Sequence, residues 1–258
     1  MTSTNAPTSG VILNTVGGTL ALGNVSVTSS TGAGVSMTAS TAAVSATSIT
    51  VNGASVGLSL SENTGGTFTV SGTTAVSNTT GDGIALAGTG VSYIFGTTNV
   101  TAAGQDAIDL TGLAGNATAN FGATTINGFG HANDGVNFTG ADVTSAFGVT
   151  SIQNGGFGTG IDLSSTQNDR TITFAKTSSI TSVNVGVQLS AGGTTATTAN
   201  ANFTFGDGEG VVDKASTISA TTTVAAVGLN PASGTYNFQD VVFTGTPGFG
   251  ASAGSALL

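Results

Sequence analysis

The side chains able to do chemistry in this 258-residue chain are few: 12 Asp or Glu, 3 Lys or Arg, one His and no Cys. Carboxylates are therefore the candidates for acid–base work or for holding a hard cation, and their placement is patterned. Asp109, Asn137 and Asp162 each follow an Ile or Val and precede a Leu or Phe, so they fill one recurring slot. Asp82, Asp106 and Asp134 stand just ahead of that slot and, with His131, form the densest ionisable patch. A third group, Asp207, Glu209 and Asp213, lies in the Gly-rich stretch 206–215.

Each group suggests a chemistry. If the recurring slot stacks on itself, Asp109 and Asp162 have backbones about 9 to 10 Å apart with Asn137 between them, which approaches the carboxylate separation of an inverting glycosidase. Asp82, Asp106 and Asp134 are the candidates for Ca²⁺, which takes about six to eight oxygens from Asp, Asn and carbonyl groups. Neither the glycine-rich nonapeptide calcium repeat nor an EF-hand loop occurs. The plainer reading is structural: an Asp before Gly bonds the backbone of its own turn. We expect no catalytic residue and no cofactor, with Ca²⁺ as the alternative. Asp109, Asn137, Asp162, Asp207, Glu209 and Asp213 are the candidates for ligand contact.

The elements that position these groups follow from a repeat of about 25 residues, a period that signals a solenoid. A first strand pattern has apolar residues at alternate positions: Val11/Leu13, Val35/Met37, Leu58/Leu60, Ile84/Leu86, Ile108/Leu110, Val136/Phe138, Ile161/Leu163 and Val187/Leu189. A second ends on a large residue, giving the column Leu22, Val44, Val70, Phe95, Phe121, Phe147, Phe174, Phe205 and Phe238. A third places Thr two positions before an aliphatic residue, as in Thr47/Ile49, Thr98/Val100, Thr124/Ile126 and Thr150/Ile152. Thr73 and Thr177 fit its first slot, and Val25/Val27 and Val241/Phe243 supply the outer copies.

Alternation with period two makes each pattern a strand with one face inward. Between the second and third patterns the inward residues lie three apart, so a corner is required there. Gly96, Gly122 and Gly148 occupy it, and glycine tolerates the positive φ that corners often use. The predicted fold is all-β, a right-handed, three-sided parallel β-helix (β-solenoid) of about nine coils, forming a rod about 40 Å long. By parity the Thr column 47, 73, 98, 124, 150, 177 faces inward. Outward on the third strand lie Ser48, Thr74, Asn99, Thr125, Ser151 and Ser178. Residues 1–9 read as a lead-in, 10–245 as the β-helix and 246–258 as an irregular Gly/Ala-rich tail, with Pro231 disrupting the last first-strand slot.

Composition bounds the function. With 41 Gly, 6% charged residues and positive mean hydropathy, the chain is neither a charged disordered segment nor an ordinary charged globule. A formal charge of −9, with Arg170, Lys176 and Lys214 the cations, leaves little to neutralise phosphates. Nucleic acid and membrane insertion are excluded as expectations, since no apolar run approaches about 18 residues. The start of the chain lacks the basic and apolar regions of a signal peptide.

The coils built from Gly-[Ile/Val]-x-Leu and Phe-Gly-x-Thr resemble the passenger regions of bacterial autotransporters and filamentous haemagglutinin-like adhesins. That resemblance implies export to the cell surface and an extracellular structural or adhesive role, with host or cell-surface glycans or proteins as partners. The rod is expected to be a slice of a larger surface protein or a fibre subunit that associates end to end. Two alternatives compete. One is a carbohydrate-active β-helix using surface Asp, although the polygalacturonase motifs Asn-Thr-Asp, Asp-Asp, Gly-His-Gly and Arg-Ile-Lys are missing and Gly130-His131-Ala132 is only a partial echo. The other is an ice-binding solenoid, which needs a uniform Thr column facing outward.

Overall fold

In a computed structural model the described residues are 1–130, 133–156, 158–164, 170–188, 200–206, 216–220, 227–229, 233–239, 241–245 and 249–251. They are strands, turns and bends without a helix, and no helix is long and apolar enough to cross a membrane. The strands form two parallel sheets, one of ten and one of fifteen strands, wound as a β-solenoid. The first strand pattern makes the ten-stranded sheet, in chain order from Val11–Asn14 to Phe249–Ala251. The second and third patterns share the fifteen-stranded sheet. In early coils they run through the corner as one strand, such as Ser92–Thr101, and later they separate, as Ala117–Phe121 and Thr124–Asn127. Up to Ser179–Val183 the chain closes about seven turns, slightly fewer than the nine coils of the repeat. Later strands extend both sheets.

Register confirms the first column in full: Val35 pairs Leu58, Leu58 pairs Ile84, Ile84 pairs Ile108, and so on to Val187. These residues are buried, as alternation predicts; Leu189 lies outside the described residues. Two strands were not foreseen. Thr2–Thr4, in the lead-in, pairs with Ser26–Thr28, and Phe249–Ala251, in the tail, pairs with Val227–Leu229. The latter is the first-strand copy in its coil, ending before Pro231.

The large-residue column holds from Val70 onward. Phe95, Phe121, Phe147 and Phe174 stack nearly face to face with ring centroids 4.9, 4.6 and 4.5 Å apart. Below Val70 the expected members are displaced: Val70 pairs with Ala46, whereas Val44 pairs with Phe68 and Leu20. Leu22 falls at an irregularity and is half-buried.

The hydroxyl column is internal, with two substitutions of membership. Thr98, Thr124 and Thr150 are buried and in register. Thr74 and Ser178, expected to face outward, are fully buried in this column, while Thr73 is exposed and Thr177 half-exposed. The corner explains this: two residues separate Phe121 from Thr124, but three separate Val70 from Thr74 and Phe174 from Ser178, which moves the inward phase by one. Thr177 is a corner residue with φ +63°. In the earliest coils Ile49 and Val25 hold the same column position, and Thr47 is exposed.

Corner glycines are required for a different reason from the one anticipated. Positive φ is absent at Gly96, Gly122 and Gly148. A Cβ on Gly96 would sit 2.4 Å from the Gly72 carbonyl oxygen, and one on Gly122 would sit 2.5 Å from that of Gly96. Backbone stacks directly on backbone at this corner, leaving no room for a side chain.

Candidate functional site: an acidic column beside the ten-stranded sheet

The bend entering the first strand and the outward face of that strand carry the acids. Asp109 pairs with Asn137 and Asn137 with Asp162, so the two carboxylates stand two rungs apart as expected. Each of the three side chains serves the same local purpose. Thr111 N donates to Asp109 Oδ1 at 2.9 Å, Thr139 N to Asn137 Oδ1 at 2.9 Å, and Ser164 N to Asp162 Oδ1 at 2.7 Å. This is the Asx turn, in which a short acceptor satisfies the N–H two residues on. Asp162 is held further by the Ser164 hydroxyl at 2.5 Å, and Gln188 Nε2 reaches it at 3.4 Å from the next coil. It is only 9% exposed.

Asp82, Asp106 and Asp134 make a second column one bend earlier. Asp106 N donates to Asp82 Oδ1 at 3.1 Å, and Asp134 N donates to Asp106 Oδ1 at 2.7 Å. Thr159 donates to the Asp134 carboxylate through both its hydroxyl and its backbone N–H. Every carboxylate thus accepts the N–H of the residue stacked on it, while Asn137 Nδ2 donates to Asp106 Oδ2 at 2.8 Å and ties the columns together.

Crowding has an electrostatic consequence. Burial, then the neighbouring Asp109 and Asp106, pushes Asp82 up to about 6. Burial, then Asp162 and Asp106, pushes Asp134 up to about 8. Asp106 and Asp162 are raised as well, chiefly by burial. Desolvation and like charge act in the same direction, favouring the neutral acid.

Among the described residues no three His, Cys, Asp or Glu side chains converge as a metal-ligand set. The described acids of the two columns are strung along the rod axis, with oxygens accepting from their own turn or from the next coil. Asp207, Glu209, Asp213 and His131 lie outside the described residues. On either side of the stretch 206–215, Phe205 pairs with Phe174 and Ser216 opens the strand Ser216–Ala220. Asp142, absent from the initial candidates, accepts from Gly115 N and pairs with Arg170 across coils. The partners that define the columns, Thr111, Thr139, Ser164 and Thr159, were also missed. The recurrent Asx-x-Thr/Ser at 109–111, 137–139 and 162–164 was the signal.

No family model, curated protein or solved structure matches the chain.

Proposed function

We propose that this chain is a structural or adhesive β-solenoid module of an exported bacterial surface protein. The observation that carries the reading is the use made of the acids: at each described position in the two columns the side chain is spent on the backbone or side chains of its own or the next coil. A hydrolase would instead present one carboxyl group to the leaving oxygen and another to water across a bound sugar. The likeness of the coils to autotransporter passenger and haemagglutinin-like repeats supports display at the cell surface. In this reading the module needs no Ca²⁺, and its partners are surface glycans or proteins.

The test is incubation of the chain with a panel of pectin, alginate and neutral glycans. No reducing ends are expected, while beads coated with the chain should retain cells or glycans equally with and without the double substitution Asp109→Asn, Asp162→Asn. Reducing-end release that this double variant abolishes would make the protein an enzyme and end the proposal.

A further inference from the structure

Stacked strands of alternating pattern are degenerate in register, and the ten-stranded sheet shows this plainly. The first strands of the second and third coils read Val35-Ser36-Met37-Thr38 and Leu58-Ser59-Leu60-Ser61, and they pair as Val35 with Leu58 and Met37 with Leu60. Sliding one past the other by two residues keeps apolar side chains inward and hydroxyls outward, because the side-chain period of a strand is two. Higher in the rod the Phe stack and the buried hydroxyl column oppose such a slip. Below Thr74 neither is present, so the early coils need another source of register.

Those coils hold a buried polar chain. Asn63, three residues beyond Leu60, is fully buried and is the only buried Asn or Gln among the described residues. Its Oδ1 accepts the N–H of Ser40, one coil below, at 3.0 Å. Its Nδ2 donates to the Tyr93 hydroxyl, one coil above, at 3.0 Å and to the Met37 carbonyl at 3.4 Å. Tyr93, also fully buried, donates onward to the Ala87 carbonyl at 2.8 Å. At the other end the Ser40 hydroxyl accepts the Val16 N–H at 3.0 Å and donates to the Thr38 carbonyl at 3.0 Å. The chain of bonds thus crosses four coils, and the oxygen and both amide hydrogens of Asn63 are engaged. A two-residue slip between the second and third coils carries the Ser40 N–H about 6 to 7 Å away from Asn63. Apolar contacts re-form in the slipped register, but these bonds do not, and a buried polar group left without a partner is costly.

We propose that Asn63, with Ser40 and Tyr93, is a register lock: a conformational device that admits one winding of the second, third and fourth coils and rejects the two-residue slip. Fixing register is the best-attested use of a buried polar side chain in a repetitive apolar core. The lock acts on the gap between registers rather than on the depth of either one. An apolar residue of similar size in place of Asn63 therefore releases the register even where overall stability is kept. This goes beyond the adhesive role and is independent of it.

Because the chain has no Cys, disulfide trapping in the whole protein tests the proposal. Ser36→Cys with Ser59→Cys marks the observed register, in which the two residues pair with Cα atoms about 4.8 Å apart. Ser36→Cys with Ser61→Cys marks the slipped register; before any slip its Cα atoms are about 8 Å apart, beyond the reach of a disulfide. With Asn63 in place the first pair is expected to close under mild oxidation and the second to stay reduced. Asn63→Leu should raise closure of the second pair by about tenfold or more, with the β-sheet circular-dichroism spectrum retained. Tyr93→Phe, which keeps the ring and removes the hydroxyl, should act in the same direction, and it decides the matter alone if Asn63→Leu does not fold. A slipped pair that stays reduced in the folded variants, or that closes as readily with Asn63 present, would overturn the proposal. A lower melting temperature with the slipped pair still reduced would overturn it too, leaving the network an ordinary set of hydrogen bonds.

Discussion

Thr98 and Thr124 occupy the same column one coil apart, and both are buried, yet their hydroxyls fare differently. Thr124 Oγ1 donates to the Gly122 carbonyl at 3.1 Å, and Thr150 repeats the bond to Gly148 at 2.9 Å. The oxygen equivalent for Thr98 is that of Gly96, which already accepts the N–H of Gly122 at 2.9 Å. Thr98 Oγ1 and Thr74 Oγ1 are left buried without a partner. An unpaired buried hydroxyl costs about 1 to 3 kcal/mol, whereas a made hydrogen bond contributes about 1 kcal/mol net. Thr98→Val should accordingly raise the urea midpoint, by about 1 kcal/mol in stability, and Thr124→Val should lower it by a similar amount. Equal and same-signed shifts would show that the two hydroxyls are in fact alike.

At the scale of the element, the Phe stack is the part of the molecule that pattern reading located best. Strand parity assigned Phe95, Phe121, Phe147 and Phe174 to one face, and parallel coils of nearly equal length had to superpose them. Phe121→Ala should cost about 3 to 5 kcal/mol, the penalty for an aromatic ring removed from a packed core. Leu22→Ala, at a half-buried residue off the stack, should cost less than about 2 kcal/mol. Chemical denaturation of the two variants compares them directly; a milder loss at Phe121 would show the stack contributes little. Parity alone, however, cannot choose between two inward residues of one strand. Val44 and Ala46 both face the core, and only the register with the next coil selects Ala46 for the Val70 column. Size favoured Val44. The exchange of Thr73 for Thr74 has a related origin, since a corner with one extra residue inverts the phase beyond it and leaves no compositional trace. The acidic columns were legible as stacked carboxylates because they are side-chain patterns. Bonding to the backbone of their own turn was legible too, but the bonds from the next coil to Asp82 and Asp106 were not, because those main-chain N–H groups are placed only once the coils are wound.

For the molecule as a whole, the acidic columns set how stability depends on pH. Ordinary globular proteins lose stability in acid because paired carboxylates must be protonated. Here the native state holds four column carboxyls, those of Asp82, Asp106, Asp134 and Asp162, above the ordinary value of 3.8, with Asp82 at about 6 and Asp134 at about 8. A group whose native pKa is raised binds its proton more tightly when folded. Its contribution is complete below the unfolded value and is lost as pH rises through the native one. The columns therefore favour the fold at mildly acid pH, and stability should decline between about pH 4 and pH 8, first through Asp82 and then through Asp134. Solvent reaches part of this site, and screening reduces the effect to about 1 to 3 kcal/mol in total. Thermal melts of the chain at pH 5 and pH 8.5 should thus show the higher midpoint at pH 5. Asp134→Asn preserves an oxygen acceptor for Thr159 while removing the titrating charge, so it should flatten the upper part of the profile and raise the midpoint at pH 8.5. Were the wild-type midpoint instead to climb from pH 5 to pH 8.5, the carboxylates would be stabilised in their charged form, as a bound cation would achieve. The self-bonded columns would then be the wrong account of why these acids sit together.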